Sequence, residues 1–141
     1  MKRLVPVLFA LLQVSEYAVA QQEVETAGIT PAVRLEAIIS GHLSELNGKF
    51  KLRVTELSFA PGARLGAHHH AGPGVRLVLS GELTFVQAGK KIAYRTGDYF
   101  YESGNVVHTA QNTGTAPLRV VFFEILPVRW SGPSLIPPKA Y

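Results

Sequence analysis

Turn signals recur at intervals of about ten residues along most of this chain: Pro61-Gly62, Gly72-Pro73-Gly74, Ser80-Gly81-Glu82, Ala88-Gly89-Lys90, Thr96-Gly97-Asp98, Gly104-Asn105 and Gly114. Between them lie short runs at 76–79, 83–86, 92–94, 99–101 and 118–125. These runs are rich in β-branched and aromatic residues, which fit a pleated, half-buried surface. No stretch holds a 3.6-residue apolar period for roughly a dozen residues, so no long amphipathic helix is expected. Many short strands with regular turns specify an all-β sandwich or small barrel, and 141 residues make one domain. Phe50, Leu52 and Val54 alternate with Lys51, Arg53 and Thr55 before the apolar phase slips to Leu57 and Phe59, which predicts a bulge near Glu56. Residues 21–32 are polar without period and read as a flexible N-terminal segment, and 33–126 as the barrel. Residues 127–141 hold four prolines and read as an extended segment laid across the barrel, with Trp130 as its anchor.

Four of the five histidines fall in two of these strand-like stretches, as His68-His69-His70 and a lone His108. Imidazole is the commonest protein ligand for transition metals. In an extended strand His68 and His70 share a face while His69 points away, to the surface or behind the other two. His42, in Ser40-Gly41-His42, reads as a solvent-exposed turn residue. With no cysteine in the chain, a thiolate site, a redox pair and a cysteine nucleophile are all excluded.

The spacing around these histidines resembles the cupin superfamily. Its first motif runs Gly, five residues, His-x-His, three or four residues, Glu, six residues, Gly; Gly62, His68, His70 and Gly81 fall in place, but Gly74 stands where the glutamate belongs. Its second motif runs Gly, five residues, Pro-x-Gly, two residues, His, three residues, Asn; here Gly97, His108 and Asn112 match, with Ser103 and Asn105 replacing Pro and Gly. Ser103 gives up the locked φ of proline, and Asn105 is expected to take the positive φ of the missing glycine. The resemblance implies a double-stranded β-helix, or jelly-roll, barrel. It also implies a divalent metal held by His68, His70 and His108, with His69 left out and Asn112 in a structural role.

A three-histidine centre with no acid behind it leaves an ion's charge uncompensated and coordination positions open, the pattern of a catalytic rather than a structural site. Donor softness points to Fe, Mn, Cu, Ni or Zn as the cofactor. Glu82 and Asp98 follow turn glycines and are expected to face water at strand starts, not to serve as ligands. The pocket candidates are Gly74, Arg76, Tyr101 and Glu102. Arg76 shares a face with Gly74, where a buried cation can bind an anionic substrate group or form a salt bridge. Glu102 stands just before the second-motif turn, as a pocket acid or a solvated strand-end carboxylate. A glutamate placed at 74 is expected to tighten metal retention. The aromatic residues read first as core or sheet-face residues, some lining an apolar pocket over the metal.

Three functions remain open on these residues: an oxygenase-like metalloenzyme acting on a small organic molecule, a non-catalytic small-ligand or metal-binding barrel that has lost its glutamate, and a structural barrel. The resemblance also implies a homodimer. The basic residues are dispersed, with no dense runs and no aromatic interleaving, which argues against nucleic acid. Residues 1–20 have the pattern of a cleavable signal: Lys2-Arg3, an apolar stretch over 4–14, then Ala18-Val19-Ala20. Cleavage after Ala20 predicts a periplasmic or secreted protein with no stable membrane span, the alternative being an uncleaved N-terminal anchor.

Overall fold

The computed structural model describes residues 23–139, and among them every regular element is a β-strand. The signal pattern at 1–20 lies outside these residues. The strands are β1 (Thr26–Ile38), β2 (Phe50–His70), β3 (Gly74–Ser80), β4 (Glu82–Gln87), β5 (Lys90–Arg95), β6 (Tyr99–Glu102), β7 (His108–Gln111), β8 (Leu118–Pro127) and β9 (Leu135–Ile136). They form one sheet in the order β5-β4-β7-β2-β8-β3-β6, with β1 and β9 both paired to β2. All pairings are antiparallel. The fold is an all-β, nearly closed barrel of the double-stranded β-helix type.

The sheet rolls up so that its end strands face each other, and side chains close the seam. The ring of Tyr94 on β5 stacks on that of Phe100 on β6 at 4.0 Å, and Phe85 meets Phe100 edge-on at 5.5 Å. Inside lie Leu57, Phe59, Leu65, Val78, Leu83, Leu118, Val120 and Phe122, all buried. Each such side chain contributes about 1.5–3 kcal/mol when withdrawn from water.

β1 begins at Thr26, so most of the expected flexible segment is paired strand. Ile29, Pro31 and Val33 lie opposite Phe59, Leu57 and Thr55 of β2, whose backbone groups would otherwise form an open edge. The phase slip also has a different origin from the one expected. β2 pairs with β8 without a break from Phe50 to Phe59, so no bulge separates these strands near Glu56. The inward positions here are the odd ones, and position 53 is filled by a buried arginine rather than an apolar residue. The bulge in β2 falls later. Leu65 pairs with Ala110 and His68 with His108, so three steps along β2 match two along β7. This extra residue switches the inward phase from odd to even at Gly66-Ala67, and Leu65, His68 and His70 all end up inside.

The turn between β4 and β5 is a two-residue hairpin with Ala88 and Gly89 both at positive φ, the twist that suits a tight hairpin. In the turn after β6, positive φ falls on Gly104 and not on Asn105. The Asn105 side chain instead accepts a hydrogen bond from Ser103 Oγ at 2.7 Å, which stiffens a turn that lacks proline.

Candidate metal centre

The bulge in β2 aims His68 and His70 at one point inside the barrel, and β7 brings His108 directly opposite His68. All three are buried, and one ligand nitrogen from each lies within 4.8 Å of the others. Every ring is tied down through Nδ1. His68 Nδ1 lies 2.7 Å from the Gly66 carbonyl of the bulge, and His108 Nδ1 lies 3.0 Å from the Val106 carbonyl. His70 Nδ1 lies 3.0 Å from Glu124 Oε1. A carbonyl or carboxylate at Nδ1 fixes the tautomer that leaves the Nε2 lone pair free. Nε2 of His68 and Nε2 of His70 are sealed from water with no hydrogen-bond partner. Buried nitrogens left unpaired in this way are costly, and a bound cation removes that cost.

A carboxylate does reach this centre, from β6 rather than from β3. Glu102 is buried, with Oε1 at 3.1 Å from His108 Nε2 and Oε2 at 3.2 Å from His70 Nε2, the latter out of hydrogen-bond alignment. It lies directly across the ladder from Gly74, so the acid missing from β3 is supplied by the residue opposite on β6. A lone pair on His108 Nε2 facing a carboxylate oxygen at this distance needs a cation between them, either a proton or a metal ion.

Glu102 belongs to a row that crosses five strands on the inner face. Glu36 pairs with Arg53, Arg53 with Glu124, Glu124 with Gly74, and Gly74 with Glu102. Arg76, fully buried one inward position along β3, bridges the gap at Gly74. Its Nε donates to Glu102 Oε2 at 2.5 Å and its Nη2 to Glu124 Oε1 at 3.2 Å, with the guanidinium 4.2 Å above the Phe122 ring. Gly74 therefore does not leave an open coordination position. A Cβ there would come under 3.0 Å from both Arg76 Nη1 and the Phe123 carbonyl, so, contrary to the expectation above, position 74 has no room for a glutamate. Of the two readings of Arg76, the salt bridge is the one observed.

Electrostatics follow from this packing. Burial pushes the Glu102 carboxyl up, but the His108 contact and the charges of Arg76 and His70 outweigh it and hold the group at about 2. Glu124 is lowered too: its burial is offset by His70, then by Arg76 and Ser134. Burial also pulls His68 down to about 4, against the opposing effect of its bond to Gly66. Before any charge on the imidazoles is counted, Arg76 and two carboxylates leave one net negative charge in this site. The expected uncompensated charge of a divalent ion is thus reduced by one unit but not cancelled.

Other candidates sort by strand phase. Tyr101 points outward and is 67% exposed, so it is not a pocket residue. Glu82 and Asp98 stay at the surface, bonded to Arg95. His69 faces away, with Nδ1 at 3.3 Å from the Gly104 carbonyl, and His42 is exposed. Asn112 is structural: its amide donates to the carbonyls of Phe59, Ala60 and Ala116. Glu124 and Ser134 were missed by sequence reasoning. Ser134 Oγ lies 2.8 Å from both Glu124 oxygens and 3.5 Å from His70 Nδ1, which brings the C-terminal segment to the centre. An acid within the apolar run of β8 was the available signal for Glu124; Ser134 left none.

Residues 55–124 match the family model described as a cupin domain. The chain belongs to the cupin superfamily. Among solved structures, this cupin is similar to a cupin domain from Bordetella pertussis Tohama I at 21% identity and a TM-score of 0.53, over 72% of this chain and 96% of that one. It is also similar to a conserved protein with a double-stranded β-helix domain from Klebsiella pneumoniae, at 23% identity and TM-score 0.55, over 78% and 85%. The polyketide cyclase RemF from Streptomyces resistomycificus is similar at 14% identity and TM-score 0.54, over 77% of each chain. At these identities the likenesses show the fold alone. Among curated proteins none matches the sequence. The cupin barrel thus contains a buried three-histidine group with the donor set to hold a metal ion.

Proposed function

We propose that this cupin binds one divalent transition metal, Fe, Mn, Cu, Ni or Zn, through Nε2 of His68, His70 and His108, with Glu102 as the carboxylate partner. The observation that carries this reading is three Nδ1-anchored imidazoles whose ligand nitrogens converge in a buried site beside Glu102. The proposed activity is oxygenase-like chemistry on a small organic molecule. A bound ion of this kind supplies Lewis acidity and coordination positions beyond the protein ligands. The chain's own residues orient the donors: Glu124 and Ser134 hold the His70 ring, the bulge carbonyl holds His68, and Arg76 keeps Glu102 ionised and in place.

Elemental analysis of protein purified without a histidine tag tests the reading. The wild type is expected to hold close to one metal per chain, and His70→Ala/His108→Ala to lose it. A metal-free wild type whose melting temperature does not respond to added metal overturns the reading. Oxygen uptake with catechol-like and thiol substrates then tests turnover. The second reading, a non-catalytic binding barrel, is favoured by the Arg76–Glu102 contact, because a proton on one imidazole could take the place of the cation.

A homodimer is supported by the outer face of the same strands. Leu35, Val54, Phe123, Val75 and Tyr101 form an outward cross-strand row on β1, β2, β8, β3 and β6 that is mostly apolar and largely exposed. Sedimentation of a monomer at micromolar concentration would remove that proposal. Export, supported by the signal pattern at 1–20, is checked by N-terminal sequencing of the protein recovered outside the cytoplasm.

A further inference from the structure

A cavity of about 600 Å³ lies between β1, β2 and the C-terminal segment, a size suited to a small organic molecule. Its walls are apolar: Ile29 and Val33 from β1, Leu57 and Leu65 from β2, Phe122 from β8 and Leu135 from β9. Charge enters where Arg53 and Glu36 line it. Arg53 is 6% exposed; its Nε donates to Glu36 at 2.5 Å and its Nη1 to the Gly132 carbonyl at 2.6 Å. Nη2 makes no hydrogen bond among the described residues. Behind the wall, Lys51 adds a second cation at 3.1 Å from the same Glu36 oxygen, so the Arg53–Glu36–Lys51 cluster carries one net positive charge.

An apolar chamber with a single buried guanidinium selects for a particular molecule. The apolar body gains by leaving water, while an anionic head group can satisfy the planar fork of Arg53, whose geometry matches a carboxylate. A cationic head group would meet net positive charge, and a neutral one would leave that charge unanswered. Glu36, with its side chain 39% exposed, can turn to water and release Nε to an incoming carboxylate.

We propose that this cavity binds an amphipathic monocarboxylate, its apolar body between β1 and β8 and its carboxylate on Arg53. The cavity meets the histidine centre through Ser134 and Phe122, the first bonded to Glu124 beside His70 and the second packed 5.6 Å from the His70 ring. This inference names a ligand class for the barrel and does not need the metal to be present.

Calorimetric titration tests it on the full-length protein, both stripped with chelator and loaded with metal. The probes are octanoate and 3-phenylpropanoate, compared with octanol, 3-phenylpropanol and octylamine. The carboxylates are expected to bind the stripped protein at least about tenfold more tightly than the alcohols, the range a charge-assisted hydrogen bond provides, and octylamine not at all. Arg53→Met should bring acid and alcohol to equal affinity. Because that variant also loses the Gly132 tether, Leu57→Trp serves as a second one: it fills the cavity and should abolish binding of both classes while the melting transition stays cooperative. Equal binding of acid and alcohol by the wild type, no binding of either, or an acid preference that survives Arg53→Met overturns the proposal. Acid binding seen only in the loaded protein overturns it too, since the carboxylate would then be a metal ligand. Metal content, measured separately, reports on the metal reading without bearing on this one.

Discussion

The histidine trio and the ionic row meet at Glu102, yet they are built by opposite means. Two of the three histidines are anchored locally, each Nδ1 held by the carbonyl two residues earlier in the chain. The row has no local part at all. Glu36, Arg53, Glu124, Gly74 and Glu102 come from five strands and meet only because the ladder registers bring them level. Local anchoring makes the trio tolerant of small changes elsewhere, whereas the row depends on every strand keeping its register. The trio should therefore control metal binding and the row should control stability.

The sharpest way to break this division is to remove the bulge. Deleting Gly66 and Ala67 together makes His68 follow Leu65 directly and would turn His68 and His70 outward. Metal binding is expected to vanish, and retention of a full equivalent would show that the bulge does not set the phase. Arg76→Met comes next. It leaves two buried carboxylates without their cation and is expected to cost about 3–5 kcal/mol in urea unfolding of the metal-free protein. A cost below about 1 kcal/mol would mean that the row is not a stabilising unit. Gly74→Ala should cost about 1–3 kcal/mol by overpacking against Arg76 and the Phe123 carbonyl. It should also weaken metal retention rather than improve it, as read by chelator competition.

The smallest effect is a pH profile with two stages, one for each region. In the metal-free protein the folded pKa of His68 is lowered from 6.5 to about 4, so between these values the unfolded chain takes up a proton that the folded chain refuses. Stability then falls as pH drops through that window. Glu102, lowered from 4.5 to about 2, contributes stability that is complete above 4.5 and lost as pH falls toward 2. Urea midpoints from pH 7 to pH 3 should show both declines, and His68→Ala should flatten the first alone. A profile in which that variant still loses stability between pH 6.5 and 4 would break the assignment.

The trio was legible in the sequence because its geometry is mostly short-range. Alternation put His68 and His70 on one face and His69 on the other, and motif spacing added His108. The all-β barrel was legible from turn spacing for the same reason. The row was not, because register is a property of the folded sheet. Even so, alternation offered a partial signal: Phe100 is a core residue, which places Glu102 on the inner face and Tyr101 on the outer one, so the two should not have been grouped. The phase slip was read correctly as a slip, but its cause was hidden. An arginine at an inward position cannot be distinguished by pattern alone from a bulge that moves the phase. Arg53 and Glu36 escaped notice because a half-buried ion pair between two strands reads as ordinary solvent-facing alternation.

The seam between β5 and β6 differs from every other junction in the barrel. Elsewhere neighbouring strands are joined by ladder hydrogen bonds, but here the Tyr94–Phe100 stack closes the wall. A wall held by the contacts of Phe100 with Tyr94 and Phe85 can part without breaking a ladder hydrogen bond, so this slot is expected to open first. Solvent and small molecules reaching the interior have a route there that leaves the rest of the sheet intact. Amide exchange along β6 should then outpace exchange along β8, its counterpart deep in the ladder.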